Sequence, residues 1–180
     1  ASPADEAARE FGRPEPRLLS ICVTTYNRGA WLAHSLPLLL ERTRPYADRV
    51  EVVVCDNASS DETPQVAAGL KRFGHLRYHR NPENVGMVGN LVVSAEQAAG
   101  RYVWLLGDDD LVLDGAVARV LAAIESAPEA ELFYLNYAVT EFDRPGRTAD
   151  IAAVLSQAHP VSAEFRDART QEIRTIAAKS

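Results

Sequence analysis

The feature that most constrains this chain is an alternation: short apolar, β-rich runs recur between stretches of helical periodicity all the way from Leu18 to Tyr137. Leu18–Thr24, Val50–Cys55, Leu76–His79, Tyr102–Leu106 and Leu132–Tyr137 have strand length, and helical patterns at Trp31–Arg42, Glu62–Phe73, Val88–Ala99 and Gly115–Ala127 separate them. The clearest helix sets Val117, Val120, Leu121 and Ile124 on one face, and Pro128 follows its end. Pro37 lacks an amide donor and disfavours helical geometry at Leu36, so a kink or a late start is expected in the first helix. Strands alternating with helices predict an α/β fold: a mostly parallel sheet flanked by helices, with ligands beyond the carboxyl ends of its strands.

A chain of 180 residues, 47% hydrophobic and 24% charged, has enough apolar material for one core, and one domain is expected. Residues 1–17 carry three prolines and scattered charges without periodicity and read as an arm or linker; residues 18–140 form the core; residues 141–180 form a C-terminal, acceptor-side segment. Within that last segment Ile151–Leu155 and Ile173–Ala178 read as short helices. No apolar run approaches the roughly 18 residues of a membrane span and no leader pattern opens the chain, so it reads as cytoplasmic, either free or peripheral at the inner face of the membrane. Cys22 and Cys55 lie inside apolar runs without metal or redox spacing and read as buried free thiols. A formal net charge of -6 argues against nucleic acid as a partner, and an anionic ligand would need local positive charge.

Four polar sets stand at or just past the strand ends. Thr24, Thr25, Tyr26 and Arg28 follow the first run: an aromatic ring to stack on a base, two hydroxyls, and a guanidinium fork to meet phosphate. The competing reading is a turn at Asn27 and Gly29 with Thr25 capping the next helix. Asp56 ends the second run, placed to accept from a ribose or a base N–H, while Ser59, Ser60 or Asp61 caps the helix beyond it. Asn84, Gly86 and Asn90 belong to a glycine-containing turn that opens a helix and suits an anion, although it matches neither dinucleotide nor phosphate-loop fingerprints. Finally, Gly107 leads into Asp108, Asp109 and Asp110, adjacent carboxylates whose repulsion at a cleft mouth favours a hard cation, Mg2+ or Mn2+, bridging to a diphosphate. Trp31 and Trp104 read as core, and the four histidines show no metal spacing.

Taken in order, Thr-Thr-Tyr-Asn-Arg, Asp-Asn-Ala-Ser-Ser-Asp-Glu-Thr, Asn-Val-Gly-x-x-x-Asn and Gly-Asp-Asp-Asp resemble the family 2 glycosyltransferases of the GT-A fold across roughly Leu18 to Tyr137. The family's metal motif is Asp-x-Asp-Asp; Gly107 stands where its first aspartate would be, a variant similar to the abequosyltransferase-like branch. The resemblance implies a Rossmann-like nucleotide-sugar-binding domain with Thr24, Thr25, Tyr26, Arg28, Asp56, Asn84, Gly86, Asn90 and Asp108 at the donor and Asp109 and Asp110 at the metal. It implies inverting, metal-dependent transfer of a hexosyl or deoxyhexosyl group from a nucleoside-diphosphate sugar to a hydroxyl of a saccharide, lipid-linked or small-molecule acceptor. The family's acidic base motif is not found; Glu164 and Asp167 are the residues that stand in its place, against the plainer reading of a solvated charged helix. Two other readings stay open: a noncatalytic nucleotide-sugar-binding or scaffolding domain, and a sugar nucleotidyltransferase, which would need a glycine- and arginine-rich loop that the text after Thr25 does not supply.

Overall fold

The computed structural model describes residues 17–135, 163–166 and 173–176. The chain divides into two compact units, Ala1–Asp110 and Leu111–Ser180. The first holds β1 (Arg17–Thr25), α1 (Gly29–Thr43), a 3-10 turn (Arg44–Tyr46), β2 (Val50–Asp56), α2 (Thr63–Gly69), β3 (Leu76–Arg80), α3 (Gly86–Gln97) and β4 (Gly100–Gly107). The second holds α4 (Ala116–Ser126), β5 (Phe133–Leu135), β6 (Ala163–Arg166) and β7 (Ile173–Ile176).

In the first unit all strand pairs are parallel, in the order β3-β2-β1-β4. Both inner strands carry continuous apolar runs because both of their faces are covered: Val50, Val52, Val53, Val54 and Cys55 of β2 have no exposed surface, and Leu19, Ile21, Cys22 and Val23 of β1 are buried. Ile21 sits opposite Val52 and Cys22 opposite Val53, so side chains of like parity share a face. On one of these faces Cys22, Val53 and Cys55 cluster with Ala98, which follows α3. Both thiols are free, and burial pushes Cys22 up to about 12 and Cys55 up to about 11. The outer strand β4 alternates instead, leaving Val103 and Leu105 partly exposed.

Helix α1 runs unbroken through Pro37 from Gly29, two residues earlier than expected. A missing donor costs one ladder bond, and the helix keeps its buried face of Leu32, Leu36, Leu39 and Leu40. Thr43 ends that face, with its hydroxyl 2.9 Å from His75 Nε2 and bonded to the Leu39 carbonyl at 2.8 Å. Burial holds His75 below the usual imidazole range; the nearby Arg17 charge adds to that, and a hydrogen bond at the Leu40 backbone opposes it. Helix α2 stops at Gly69, short of the expected Phe73.

The second unit departs further from expectation. The run at Leu132–Tyr137 contributes a strand, Phe133–Leu135, but it belongs to an antiparallel sheet of order β5-β6-β7 and not to the parallel one. Ile173–Ile176 is a strand where a helix was expected, and Glu164 lies on β6 rather than on a charged helix. Helix α4 buries Val117, Val120, Leu121 and Ile124 as its spacing predicts. The arm at residues 1–16, Ile151–Leu155 and Asp167 lie outside the described residues. No described helix is long and apolar enough to cross a membrane.

Candidate functional site

The strand order places the site. From β1 the chain moves outward to β2 and β3, then returns to lay β4 on the opposite side of β1. Loops leaving β1 and β4 therefore diverge, and the crevice beyond their carboxyl ends is the topological switch point where open α/β sheets bind ligands. The first and fourth polar sets meet there: Thr24 is paired with Gly107 in the ladder, and the residues beyond them interlock.

Thr25, buried, donates its hydroxyl to Asp108 Oδ2 at 2.7 Å and caps no helix. Ser35 of α1 donates to the Asp108 carbonyl at 2.5 Å, fixing the backbone of the turn. Arg28 spans the two neighbouring carboxylates. Its Nε lies 2.8 Å from Asp108 Oδ1, a charge contact without hydrogen-bond alignment, and its Nη2 donates to Asp109 Oδ2 at 2.7 Å. The guanidinium also lies over the Trp31 ring, 5.3 Å from its centroid, so Trp31 supports the site as well as the helix. Burial raises the Asp108 carboxyl above its ordinary value, with the Thr25 hydroxyl and Arg28 pulling it back and Asp109 pushing it up. Asp108 is thus an interior strut for Arg28. Asp109, with half of its side chain exposed, faces out.

Asp110 turns back on the chain and accepts from the Gly107 amide at 2.7 Å. A Cβ at position 107 would stand 2.9 Å from Asp109 Oδ1 and 3.3 Å from Asp110 Oδ2. Glycine there lets the two carboxylates fold over the strand end; an aspartate would have to push them apart. Among the described residues no three acidic, histidine or cysteine side chains converge on one point.

The loops after β1 and β2 are laced together by bonds that the sequence reading did not foresee. The Asn27 amide donates to Ser59 Oγ at 2.8 Å, and Asn27 Oδ1 accepts from the Ser60 amide at 2.7 Å, which holds Asn27 at a φ of 51°. Asp61 joins two helix starts: Oδ2 accepts from the Gly29 amide of α1 at 2.8 Å, and Oδ1 accepts from the Thr63 amide and hydroxyl of α2 at 3.0 and 2.6 Å. Burial pushes its carboxyl up, but the bonds from Thr63 and Gly29 outweigh that and hold it below the ordinary value. A Cβ on Gly29 would meet the Thr63 nitrogen at 2.8 Å, so the two helix starts touch. Tyr26, at the tip of this double loop, is 44% exposed and free to present a ring face.

Asp56 has no exposed surface. Its carboxylate accepts from the Ser59 amide at 2.8 Å and the Tyr78 hydroxyl at 2.6 Å, with Arg80 Nε 3.4 Å away. Burial and the Asp56 carboxylate both push the Tyr78 hydroxyl well above its usual range. A base N–H would reach Asp56 only after Tyr78 or Arg80 yields, so in this arrangement Asp56 shapes the loop and points Arg80 rather than presenting itself.

The third set is an asparagine web. Asn57 donates to Asn84 Oδ1 at 2.8 Å and to the Gly86 carbonyl at 3.2 Å, and accepts from Asn81 at 3.0 Å and the Val85 amide at 2.9 Å. Asn84 Oδ1 also accepts from the Gly86 amide at 2.8 Å. Asn81 donates in turn to Asn90, which donates to the Cys55 carbonyl, both at 3.0 Å. Asn90 is buried beneath the loop, so its amide sets the backbone and offers no surface to a ligand. Asn57 and Asn81 were missed; the signal that could have found them is an asparagine just past each of three successive strand ends. Glu164 stands in the second unit, on β6.

The family model described as Glycosyl transferase family 2 matches residues 20–171. Abequosyltransferase RfbV of Salmonella typhimurium is 29% identical over 117 residues, which are 64% of this chain and 35% of that protein. Among solved structures, S. aureus TarS 1-349 in complex with UDP-GlcNAc superposes with a TM-score of 0.54 at 25% identity, over 62% of this chain and 32% of that one. The mannosyltransferase PcManGT from Pyrobaculum calidifontis, in complex with GDP-Man and Mn2+, gives a TM-score of 0.53 at 25% identity, over 66% and 38%. The chain thus spans about a third of the length of the relatives it matches.

Proposed function

Because this chain belongs to glycosyl transferase family 2 and has the GT-A fold, we propose that its parallel-sheet unit binds a nucleoside-diphosphate sugar and serves transfer of the sugar to an acceptor hydroxyl. The observation that carries the reading is the Thr25, Arg28, Asp108 and Asp109 constellation at the switch point of the sheet. It offers one cationic fork and one outward carboxylate within a single hydrogen-bonded unit, which is what a diphosphate and its counter-ion require.

The donor set suits a divalent cation in its chemistry. The outward groups are hard carboxylate oxygens, and Asp109 already holds a cationic group, Arg28. A site for Mg2+ or Mn2+ needs only one or two carboxylates when substrate phosphates complete the shell. Asp109, with Asp110 beside it, would hold the ion. When bound, the ion supplies charge that stabilises the departing diphosphate. Tyr26 stacks on the nucleoside base, Arg28 binds diphosphate oxygens, and Asp108 and Thr25 orient Arg28 from below. Asn57, Asn84 and Gly86 hold the loop that frames the pocket, and Thr24, whose hydroxyl reaches the Leu106 carbonyl at 3.4 Å, closes its floor. The acceptor, a saccharide, lipid-linked or small-molecule hydroxyl, is deprotonated by a carboxylate for inverting displacement, and residues 141–180 belong to the acceptor side.

One observation favours a second reading. Asp56, Asp61, Asp108, Asp109 and Asp110 are each engaged by donors of the chain itself, which suits a unit that binds the donor without supplying the base. Release of nucleoside diphosphate from UDP-, GDP-, CDP- and dTDP-sugars, measured with an acceptor panel, separates the two: turnover that Asp109→Ala abolishes supports transfer. Metal-dependent binding without turnover supports the binding module. Unchanged donor affinity in Asp109→Ala removes the metal assignment.

A further inference from the structure

We propose that Arg28 is an exchangeable internal counter-ion: without nucleotide its guanidinium occupies the Asp109 carboxylate that a divalent cation needs, and nucleotide binding draws it off so that the cation can load. The inference rests on the donor-site reading above and adds an order to it.

The geometry points to competition. Arg28 touches Asp108 Oδ1 at 2.8 Å and Asp109 Oδ2 at 2.7 Å, so one positive charge serves two adjacent carboxylates. Asp108 is buried, and its carboxylate also accepts from the Thr25 hydroxyl on its other oxygen and from its own backbone amide. Asp110 is turned away onto the Gly107 amide. The outward carboxylate left for a cation is therefore Asp109, and the guanidinium holds it. A cation approaching this nucleotide-free site meets Arg28 within 3 Å of the oxygen it must bind and is repelled.

The same residue is built to move. Its side chain is 40% exposed, its Nε makes a charge contact without an aligned hydrogen bond, and its guanidinium lies over Trp31 at 5.3 Å from the ring centroid, a non-directional contact beside its directional bond to Asp109. A diphosphate offers the fork two or more charged oxygens in place of the shared carboxylates. Transfer of Arg28 to phosphate frees Asp109 at the moment when phosphate oxygens can complete a cation's shell. Metal and nucleotide thus bind with positive coupling, and by linkage each tightens the other by the same factor.

The test is Mn2+ binding to the full chain, followed by electron paramagnetic resonance, without nucleotide and then with saturating UDP, GDP, CDP or dTDP. In the wild type, Mn2+ alone binds weakly and one nucleotide tightens it. Arg28→Gln is expected to bind nucleotide-free Mn2+ about tenfold tighter, the size expected for release of a half-exposed charge pair, and to lose most of the tightening by nucleotide. Arg28→Lys, which keeps the charge and loses the fork, falls between the two and carries the comparison if circular dichroism shows that the glutamine variant is misfolded. Nucleotide-free Mn2+ affinity that is unchanged or weaker in the Gln and Lys variants overturns the inference while leaving the donor site standing. A wild type that takes no Mn2+ with any of the four nucleotides overturns the metal part of the donor reading, and this inference with it.

Discussion

Asp61 is the residue whose removal should tell most about how the site is held. It contacts no ligand in the functional reading, yet its two carboxylate oxygens close the starts of α1 and α2 with bonds of 2.8, 3.0 and 2.6 Å. Loss of a side-chain cap costs about 1 kcal/mol per helix, so Asp61→Ala should lose about 2 kcal/mol. For a chain of 180 residues that corresponds to a fall of roughly 4–8 °C in Tm. Asp61→Asn, which keeps an acceptor oxygen and loses the charge, should lose about half as much. The sign of the pH dependence follows from the depressed carboxyl: its stabilisation is present above the unfolded-state value of 3.8 and is lost as pH falls through the lower folded value. Because Gly29 follows Arg28 directly, the alanine variant should also weaken nucleotide binding, while the apolar core keeps its far-ultraviolet circular dichroism. Urea unfolding at pH 7 and pH 3, paired with nucleotide titration, measures both effects. A loss below about 0.5 kcal/mol, within the range of ordinary surface substitutions, would refute the claim that Asp61 clasps the two loops.

Two further outcomes follow from buried polar groups. Asn57→Ala leaves one N–H of the buried Asn81 side chain without its acceptor, while the Val85 N–H, on an exposed residue, can turn to water; the loss should be about 1–3 kcal/mol, read as a lower urea midpoint. His75 has its imidazole pKa depressed by burial, so its share of stability is present above the unfolded value of 6.5 and declines as pH falls through the folded one; His75→Gln should flatten the urea midpoint between pH 7 and pH 5, and an unchanged slope contradicts the assignment.

The parallel sheet was legible mainly because its inner strands β1 and β2 are largely apolar runs. β2, read as a strand of a sheet flanked by helices, is buried along its whole length, and its run stops where a polar set begins. The meeting of Thr25 and Arg28 with Asp108 follows from the same text once β1 and β4 are neighbours, since the loops past two adjacent parallel strands must share one crevice. What lay outside the text was cooperation between loops. Nothing within Ser59, Ser60 and Asp61 says that they bond Asn27 and Gly29, or that of the three only Asp61 reaches the start of α2, at Thr63. The inward turn of Asp56 likewise depends on Tyr78 and Arg80, more than twenty residues on and brought alongside only by the β2 and β3 register. β6 and β7 escaped because Ala163–Arg166 and Ile173–Ile176 are four residues each and mix charged with apolar side chains, a pattern too short to separate a strand period from a helical one. The late start that Pro37 suggested does not occur: the helix begins at Gly29, and its buried leucine face continues on both sides of the proline.

Calorimetric titration of the chain with UDP, GDP, CDP and dTDP, each with Mn2+ and with EDTA, tests the central claim most directly. The account predicts that one nucleotide binds, that Mn2+ strengthens it and EDTA removes that gain, and that Asp109→Ala behaves with Mn2+ as the wild type does with EDTA. Absence of binding by all four nucleotides under both conditions would contradict it.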